Sequence, residues 1–136
     1  MKKNNIIFFG LLHVQKKENT KLNFKHNSDE DKILVYLKNA VLLSKQLKIF
    51  NYNFILLTNN KIYLNKLLNK INEKINVKQI KFKTFVPKKT HFFSCHFRID
   101  IFNFLSKLKN NFSILIDLDV LVFKKSLKLQ KISKSK

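Results

Sequence analysis

The chain has 136 residues and a formal net charge of +20, from 28 basic and only eight acidic side chains. This length accommodates one domain at most. A hydrophobic fraction of 45%, with 14 Phe, supplies a core and excludes global disorder. One Gly and one Pro exclude collagen-like, linker-like and glycine-loop architectures. One Cys excludes an internal disulfide framework and a CxxC metal site, and it fits a reducing compartment.

Lysine supplies almost all of the positive charge, because Arg98 is the single arginine among the 28 basic residues. So positive a surface attracts polyanions such as nucleic acid, anionic lipid and phosphorylated substrates. The chain also holds 17 Asn and many Ile and Phe, a mixture that AT-rich codons supply whatever the function. Nucleic-acid sites favour Arg for bidentate contacts. The composition therefore favours codon bias as the origin of the lysine excess. A small basic nucleic-acid-binding domain is the alternative function.

The first half of the chain alternates strand-like and helical patterns. Residues 6–14 form a continuous apolar run, typical of a strand covered on both faces. Residues 15–30 are polar and predict a loop, and the acidic residues 29–31 favour the start of a helix. Apolar residues at helical spacing predict that this helix covers residues 33–47. Residues 54–58 (FILLT) then predict a second strand.

The second half continues the same alternation. Helical spacing over residues 64–75 predicts a second helix, and apolar–polar alternation over 77–82 predicts a third strand. After a basic loop with Pro87, residues 93–108 predict a third amphipathic helix, and residues 112–123 predict the last strand. The order β-α-β-α-β-α-β predicts an α/β fold with a mostly parallel sheet and flanking helices.

Two carboxylates interrupt the last predicted strand. Asp117 and Asp119 flank Leu118, and strand alternation places both carboxylates on the same side. Two ionised carboxylates in a buried sheet repel each other and are costly to desolvate. A Mg²⁺ or Mn²⁺ ion removes that conflict, since such ions use one or two carboxylates together with substrate phosphates. The pattern therefore predicts a metal site near the carboxyl ends of the strands. An exposed or Lys-paired carboxylate pair is the alternative.

The segment HFRIDIFNFLSKLKNNFSILIDLDVLV, residues 96–122, resembles the donor-binding segment of GT-A glycosyltransferases, in particular family 8 and related bacterial sugar transferases. There a helix with a basic residue leads into a hydrophobic strand ending in a D-x-D motif. Residues 54–60 resemble that fold's second strand, and residues 36–47 its first long helix. The resemblance implies an incomplete GT-A, nucleotide-sugar-binding domain over residues 1–123, followed by a basic tail over 124–136.

The resemblance also implies roles for single residues. Asp119 would bind the Mn²⁺ or Mg²⁺ that holds the donor's pyrophosphate, and Asp117 would share the metal or contact the ribose. Arg98 matches the family's basic residue that touches the donor's sugar or phosphates, which suits a planar guanidinium. A surface Arg on a helix is the alternative. His13 and Thr58 end the first and second predicted strands, so both are candidate donor contacts.

The chain departs from this family at two places. The first strand ends in the sequence FGLLH at residues 9–13, where the family has an Asp-x-x-Tyr-like nucleoside motif. All four His precede the D-x-D motif, whereas the family's metal-ligating His and acceptor-binding half follow it. These departures predict that the coding sequence ended early and that the chain is the N-terminal part of a longer enzyme.

The expected function is transfer of a sugar from a nucleotide-diphosphate-sugar to a surface glycan or lipooligosaccharide acceptor. The expected partners are the nucleotide-sugar donor and a glycan or glycolipid acceptor, with nucleic acid disfavoured. The Lys-rich surface is suited to peripheral contact with anionic membrane lipid. The expected location is the cytoplasm, where the inner face of the membrane would be the surface for such a contact. The sequence has no run of about 18 apolar residues, so no membrane span is predicted.

Overall fold

The computed structural model describes residues 6–14, 29–87, 90–91, 93–109 and 112–122. These described residues form eight elements: β1 (Ile6–Leu11), α1 (Asp29–Ile49), β2 (Asn53–Thr58), α2 (Lys61–Lys70), β3 (Val77–Gln79), a 3₁₀ turn (Phe93–Phe97), α3 (Arg98–Leu105) and β4 (Phe112–Leu115). The α/β class and the alternating order predicted from the sequence are confirmed. The boundary at residue 123 and the tail over 124–136 lie outside the described residues.

The four strands form one all-parallel sheet in the order β3-β2-β1-β4. In β1, Phe8 lies opposite Phe54 on one side and Ile114 on the other. The chain moves outward from β1 through β2 to β3 and then returns to the far side of β1 with β4. Ligand crevices of open parallel sheets lie at such a reversal, outside the carboxyl ends of the strands.

Alternation along β1 builds two cores, one on each face of the sheet. Phe8 and Leu12 belong to the larger core, which includes buried residues of α1 and α2. Phe9 points to the opposite face, where it packs with Leu57 and with Ile101 of α3. The sheet is therefore covered by α1 and α2 on one face and by α3 on the other, as expected for consecutive parallel strands.

The predicted strands other than β2 are longer than the observed ones, because a strand ends where its neighbour stops offering backbone partners. β1 ends at Leu11 rather than residue 14, and β3 at Gln79 rather than residue 82. Among the described strands, β4 pairs with β1 alone, and it ends at Leu115 rather than residue 123. The last bond that links it to β1 is donated by Ile116 N–H to the Phe9 carbonyl over 2.8 Å.

The helices also differ from their predicted bounds. Two of them are followed by Asn residues with positive φ, Asn51 after α1 and Asn72 after α2. Asn tolerates this left-handed conformation better than most residues, so α2 ends at Lys70 rather than at residue 75. The predicted third helix is divided into the 3₁₀ turn and α3. Within the described ranges, no helix is both long and apolar enough to cross a membrane.

Candidate functional site

The side chains predicted to carry the function gather at one edge of the sheet. Because the strands are parallel, their carboxyl ends open on a shared edge, the carboxyl edge. His13 follows β1, Thr58 ends β2, and Asp117 and Asp119 follow β4. Arg98 begins α3, which packs against the sheet. The fold therefore brings all five predicted site residues to the carboxyl edge or to the helix beside it.

The D-x-D motif forms an exposed turn after β4. Residues 118–119 make the turn, and Val120 N–H donates to the Asp117 carbonyl over 3.4 Å. Leu118 is buried with 8% exposure, whereas Asp117 and Asp119 are both exposed. The expectation of a buried carboxylate pair inside the strand is wrong, since the β1–β4 ladder ends before Asp117. The conflict of two buried charges does not arise.

Contacts on both sides of this turn fix it against the core. Before the turn, Ile116 donates its amide to β1. After it, Val122 is buried, and its amide donates to Gln46 Oε1 of α1 over 3.3 Å. Leu118 lies between these anchors and packs in the larger core. The turn therefore presents two carboxylates to solvent from an anchored backbone.

Arg98 and Asp117 are in contact. The guanidinium donates from Nη2 to Asp117 Oδ1, and the two side chains are 43% and 60% exposed. Arg98 is the first residue of α3, preceded by the buried Phe97. Two residues that the resemblance assigns to one donor site thus lie next to each other, although 19 positions separate them.

Asp119 differs in its contacts from four other described carboxylates. Four carboxylates bind basic side chains or backbone amides: Glu30 with Lys70, Glu73 with Lys45, Asp117 with Arg98, and Asp100 with the amides of Lys83 and Thr84. Within the part of the chain that the structure describes, Asp119 makes no hydrogen bond or ion pair. An exposed carboxylate without a cationic partner among the described residues is accessible to a cation from solution.

A cavity of about 890 Å³ opens at the same edge, on the β3 side of β1. It is lined by Gln79 at the end of β3, by residues 80–86, which follow β3 and are called the strap, and by His13, Asn59 and Phe97. The His13 and Phe97 rings stack with centroids 4.4 Å apart, and Phe82 packs edge-on to His13 at 5.3 Å. The cavity therefore combines an aromatic wall with polar and basic side chains.

The environment of His13 favours the neutral imidazole. Burial lowers the pKa of His13 below its usual value, because the aromatic surroundings disfavour the charged ring. A neutral imidazole carries one donor and one acceptor nitrogen. His13 is therefore suited to packing against a flat, uncharged group rather than to attracting an anion.

Thr58 and Asn59 join the ends of β1 and β2. Thr58 is fully buried, and its Oγ1 accepts a hydrogen bond from Asn60 N–H over 3.2 Å. Asn59 Oδ1 accepts from Val14 N–H over 2.7 Å, while Asn59 Nδ2 donates to the Val14 carbonyl over 2.9 Å. The Thr58 hydroxyl is closed to solvent. Contact of Thr58 with a nucleotide-sugar donor stays a prediction. The paired bonds of Asn59 hold the segment that carries His13.

The strap is held by Asp100, a residue that the sequence did not single out. Its carboxylate accepts hydrogen bonds from Lys83 N–H over 3.1 Å and from Thr84 N–H over 3.0 Å. Burial acts to raise the pKa of Asp100, but the hydrogen bonds from Thr84 and Lys83 outweigh it, so the pKa lies below its usual value. Interleaved Lys and Phe residues mark the strap in the sequence, but nothing there indicates this anchor.

The donor set of the D-x-D turn fits a hard divalent cation. Among the described residues, no group of three or more His, Cys, Asp or Glu side chains is placed to hold a metal ion. Asp117 and Asp119 offer carboxylate oxygens only, at an exposed position. Mg²⁺ and Mn²⁺ accept such a partial set, because water and substrate phosphates complete their coordination. The turn therefore suits a cation that arrives with a phosphorylated ligand.

No protein-family model, curated protein or solved structure matches the chain. The structure itself establishes the α/β fold with a four-stranded parallel sheet, which is compatible with a Rossmann-like arrangement.

Proposed function

We propose that the carboxyl edge binds a nucleotide-diphosphate-sugar together with Mn²⁺ or Mg²⁺, and that the chain carries the donor-binding site of a GT-A glycosyltransferase. The observation that carries this proposal is the exposed Asp117–Asp119 turn at the end of β4, with Arg98 in contact with Asp117. Carboxylates for a cation and a guanidinium for phosphate oxygens thus lie side by side, next to the point where the strand order reverses.

The charged groups divide between the cation and the diphosphate. Asp119, which has no cationic partner among the described residues, holds the cation, and Asp117 shares it. Arg98 presents a planar fork of N–H donors that matches phosphate oxygens. Lys would supply a point charge only, so the single arginine of the chain stands where bidentate recognition is useful.

The cavity provides a place for the nucleoside. Its aromatic wall is formed by His13, Phe82 and Phe97, and a neutral His13 packs against a base without repelling it. Lys81 and Lys83 are exposed on the strap that lines the cavity, where they attract the negative charge of the donor. The cavity volume lies in the range of small-molecule and cofactor sites.

In the proposed reaction, the bond between the anomeric carbon and a diphosphate oxygen breaks, and the oxygen of an acceptor hydroxyl bonds to that carbon. The hydroxyl proton passes to the departing nucleoside diphosphate or to water. A bound divalent cation supplies Lewis-acid stabilisation of the departing nucleoside diphosphate. Arg98 adds positive charge at the same diphosphate, and the anchored turn holds Asp117 and Asp119 in place beforehand. The proposed acceptor is a surface glycan or lipooligosaccharide, which fits peripheral contact of the Lys-rich chain with anionic lipid at the inner membrane face.

A calorimetric titration of the full chain with UDP, GDP, CDP, ADP and dTDP, with and without Mn²⁺, tests this proposal. We expect one nucleotide to bind in a Mn²⁺-dependent manner. Asp119→Asn should weaken that binding by at least about tenfold, because loss of even indirect metal partners has effects of this size. Glu30→Gln is the matched control, since it also neutralises an exposed carboxylate and should leave binding unchanged. Binding by none of the nucleotides, or binding without Mn²⁺, would contradict the proposal.

One observation favours the second candidate, a basic nucleic-acid-binding domain. Phe85 is 87% exposed on the same strap as the exposed Lys81 and Lys83, a combination suited to stacking bases beside a phosphate backbone. Single-strand binding would be independent of Mn²⁺ and would weaken steeply with salt, by about one log–log unit for each phosphate contact. Phe85→Ala should then weaken binding, whereas Asp119→Asn should not.

A further inference from the structure

We infer that the Arg98–Asp117 ion pair is an exchange contact. Without a metal ion, the guanidinium occupies Asp117; when a divalent cation takes that carboxylate, Arg98 is released to bind the donor's diphosphate. This inference rests on the proposed function and adds an order of events to it, with metal binding and phosphate recognition linked through one side chain.

The geometry leaves the side chains free to exchange while the backbone stays in place. Arg98 and Asp117 are 43% and 60% exposed, so both have room to turn toward solvent or a ligand. Their sequence neighbours Phe97 and Leu118 are buried, and Phe97 also stacks on His13. Exchange therefore requires rotation of two surface side chains and no movement of β4 or α3.

The energetics of exposed ion pairs favour such an exchange. An exposed Arg–carboxylate pair favours the paired over the separated side chains by a factor of about five at most. The factor is small because solvent screens the charges and because ordering two side chains has an entropic cost. A bidentate bond from Arg to phosphate is stronger than a pair of this kind. The ion pair is thus weak enough for a cation to displace, and the released guanidinium gains a better partner.

Arg98 also lies where a nearby anion stabilises its positive charge. It is in the first turn of α3, where the helix dipole disfavours a cation. Asp100, the other charged side chain of that turn, already accepts the amides of Lys83 and Thr84. Once a metal ion occupies Asp117, the diphosphate becomes the anion that balances Arg98.

Two titrations of Arg98→Gln test the inference, with Lys107→Gln as the control for loss of one exposed positive charge near α3. In the first, Mn²⁺ alone is titrated and free Mn²⁺ is followed by electron paramagnetic resonance. Arg98→Gln should bind Mn²⁺ about two to five times more tightly than wild type, because Asp117 no longer has a competitor. Lys107→Gln should match wild type.

In the second titration, the nucleoside diphosphate that binds wild type most tightly is added at saturating Mn²⁺. Here Arg98→Gln should bind at least about tenfold more weakly, as expected for loss of a charge-assisted hydrogen bond. Arg98→Lys keeps the charge without the planar fork of donors, so its Mn²⁺ affinity should match that of wild type. Its nucleotide affinity should lie between those of wild type and Arg98→Gln. Far-UV circular dichroism checks that each variant is folded.

The opposite signs of the two effects identify the exchange. Equal Mn²⁺ affinities for Arg98→Gln and Lys107→Gln, or weaker Mn²⁺ binding by Arg98→Gln, would overturn it while leaving the proposed function intact. A wild-type protein that shows no Mn²⁺-dependent nucleotide binding would instead overturn the proposed function and the exchange together. That result is read from wild type alone, so the two failures are distinguishable.

Discussion

A methyl group added at Gly10 should disturb the packing that holds the D-x-D turn. A Cβ at this position of β1 would lie 2.6 Å from Leu118 Cδ2 and 2.9 Å from Phe54 Cζ. Both distances are well below ordinary carbon–carbon contact. Leu118 thus fills the space that a side chain at residue 10 would need, and the only glycine of the chain allows this close approach.

The size of the effect follows from overpacking and its relief. Gly10→Ala should destabilise the protein by about 1–3 kcal/mol, since Phe54 is buried in β2 and Leu118 has to shift. Leu118→Ala should destabilise it by about 2–5 kcal/mol through loss of a buried side chain. In the double variant, the new methyl group occupies space that Leu118 has left. The combined loss should therefore be smaller than the sum by at least about 0.5 kcal/mol.

Urea unfolding followed by far-UV circular dichroism measures these free energies, provided that all variants share one m-value. Leu42→Ala is the control for the cycle, since Leu42 is an exposed leucine of α1 and should combine additively with Gly10→Ala. Gly10→Ala should also weaken Mn²⁺ binding, because the displaced Leu118 moves the turn. Strict additivity of Gly10→Ala and Leu118→Ala, or a neutral Gly10→Ala, would refute this account of the packing.

Two further predictions concern the segment after β1. Asn59→Ala should destabilise the protein by about 1–3 kcal/mol in urea unfolding, because both backbone groups of Val14 lose their partner. The control Asn65→Ala, on the exposed face of α2, should have little effect, and equal effects of the two substitutions would contradict the role of Asn59. Folding stability should fall as the pH drops below about 6.5, since the unfolded state takes up a proton at His13 that the folded state resists. Urea unfolding measures the loss of unfolding free energy between about pH 7.5 and about pH 5.5. Compared with wild type, this loss should be smaller in His13→Asn and the same in the control His91→Asn, which changes an exposed residue. Equal losses in all three proteins would refute the role of His13.

The order of elements was predictable because it depends on local patterns. Continuous apolar runs predicted β1 and β2, and helical spacing predicted α1, which the structure gives as Asp29–Ile49. The end of β4 was not predictable in this way. Residues 116–123 read as a strand on composition, but the ladder stops once Ile116 has bonded to Phe9. Asp117 and Asp119 are exposed because they lie beyond the last backbone bond between β4 and β1.

The candidate site was predictable only where a residue type is informative by itself. The lone Arg98 and the carboxylates of the D-x-D motif drew attention as sequence features, and the structure brings Arg98 to Asp117. The Asn59–Val14 bonds and the Asp100 anchor were not predictable. They join a side chain to the backbone of a segment far along the chain, and such bonds leave no periodic or compositional pattern.

The most direct test of the proposed site locates the cation on the folded chain. Mn²⁺ added to ¹⁵N-labelled protein with the bound nucleoside diphosphate should broaden the amide signals around Asp117, Asp119 and Arg98. It should leave the end of α2 near Lys70 sharp, since α2 starts next to the carboxyl edge and runs away from it. Asp119→Asn should abolish the selective broadening. Broadening centred elsewhere, or broadening that Asp119→Asn leaves unchanged, would contradict a cation site at the D-x-D turn.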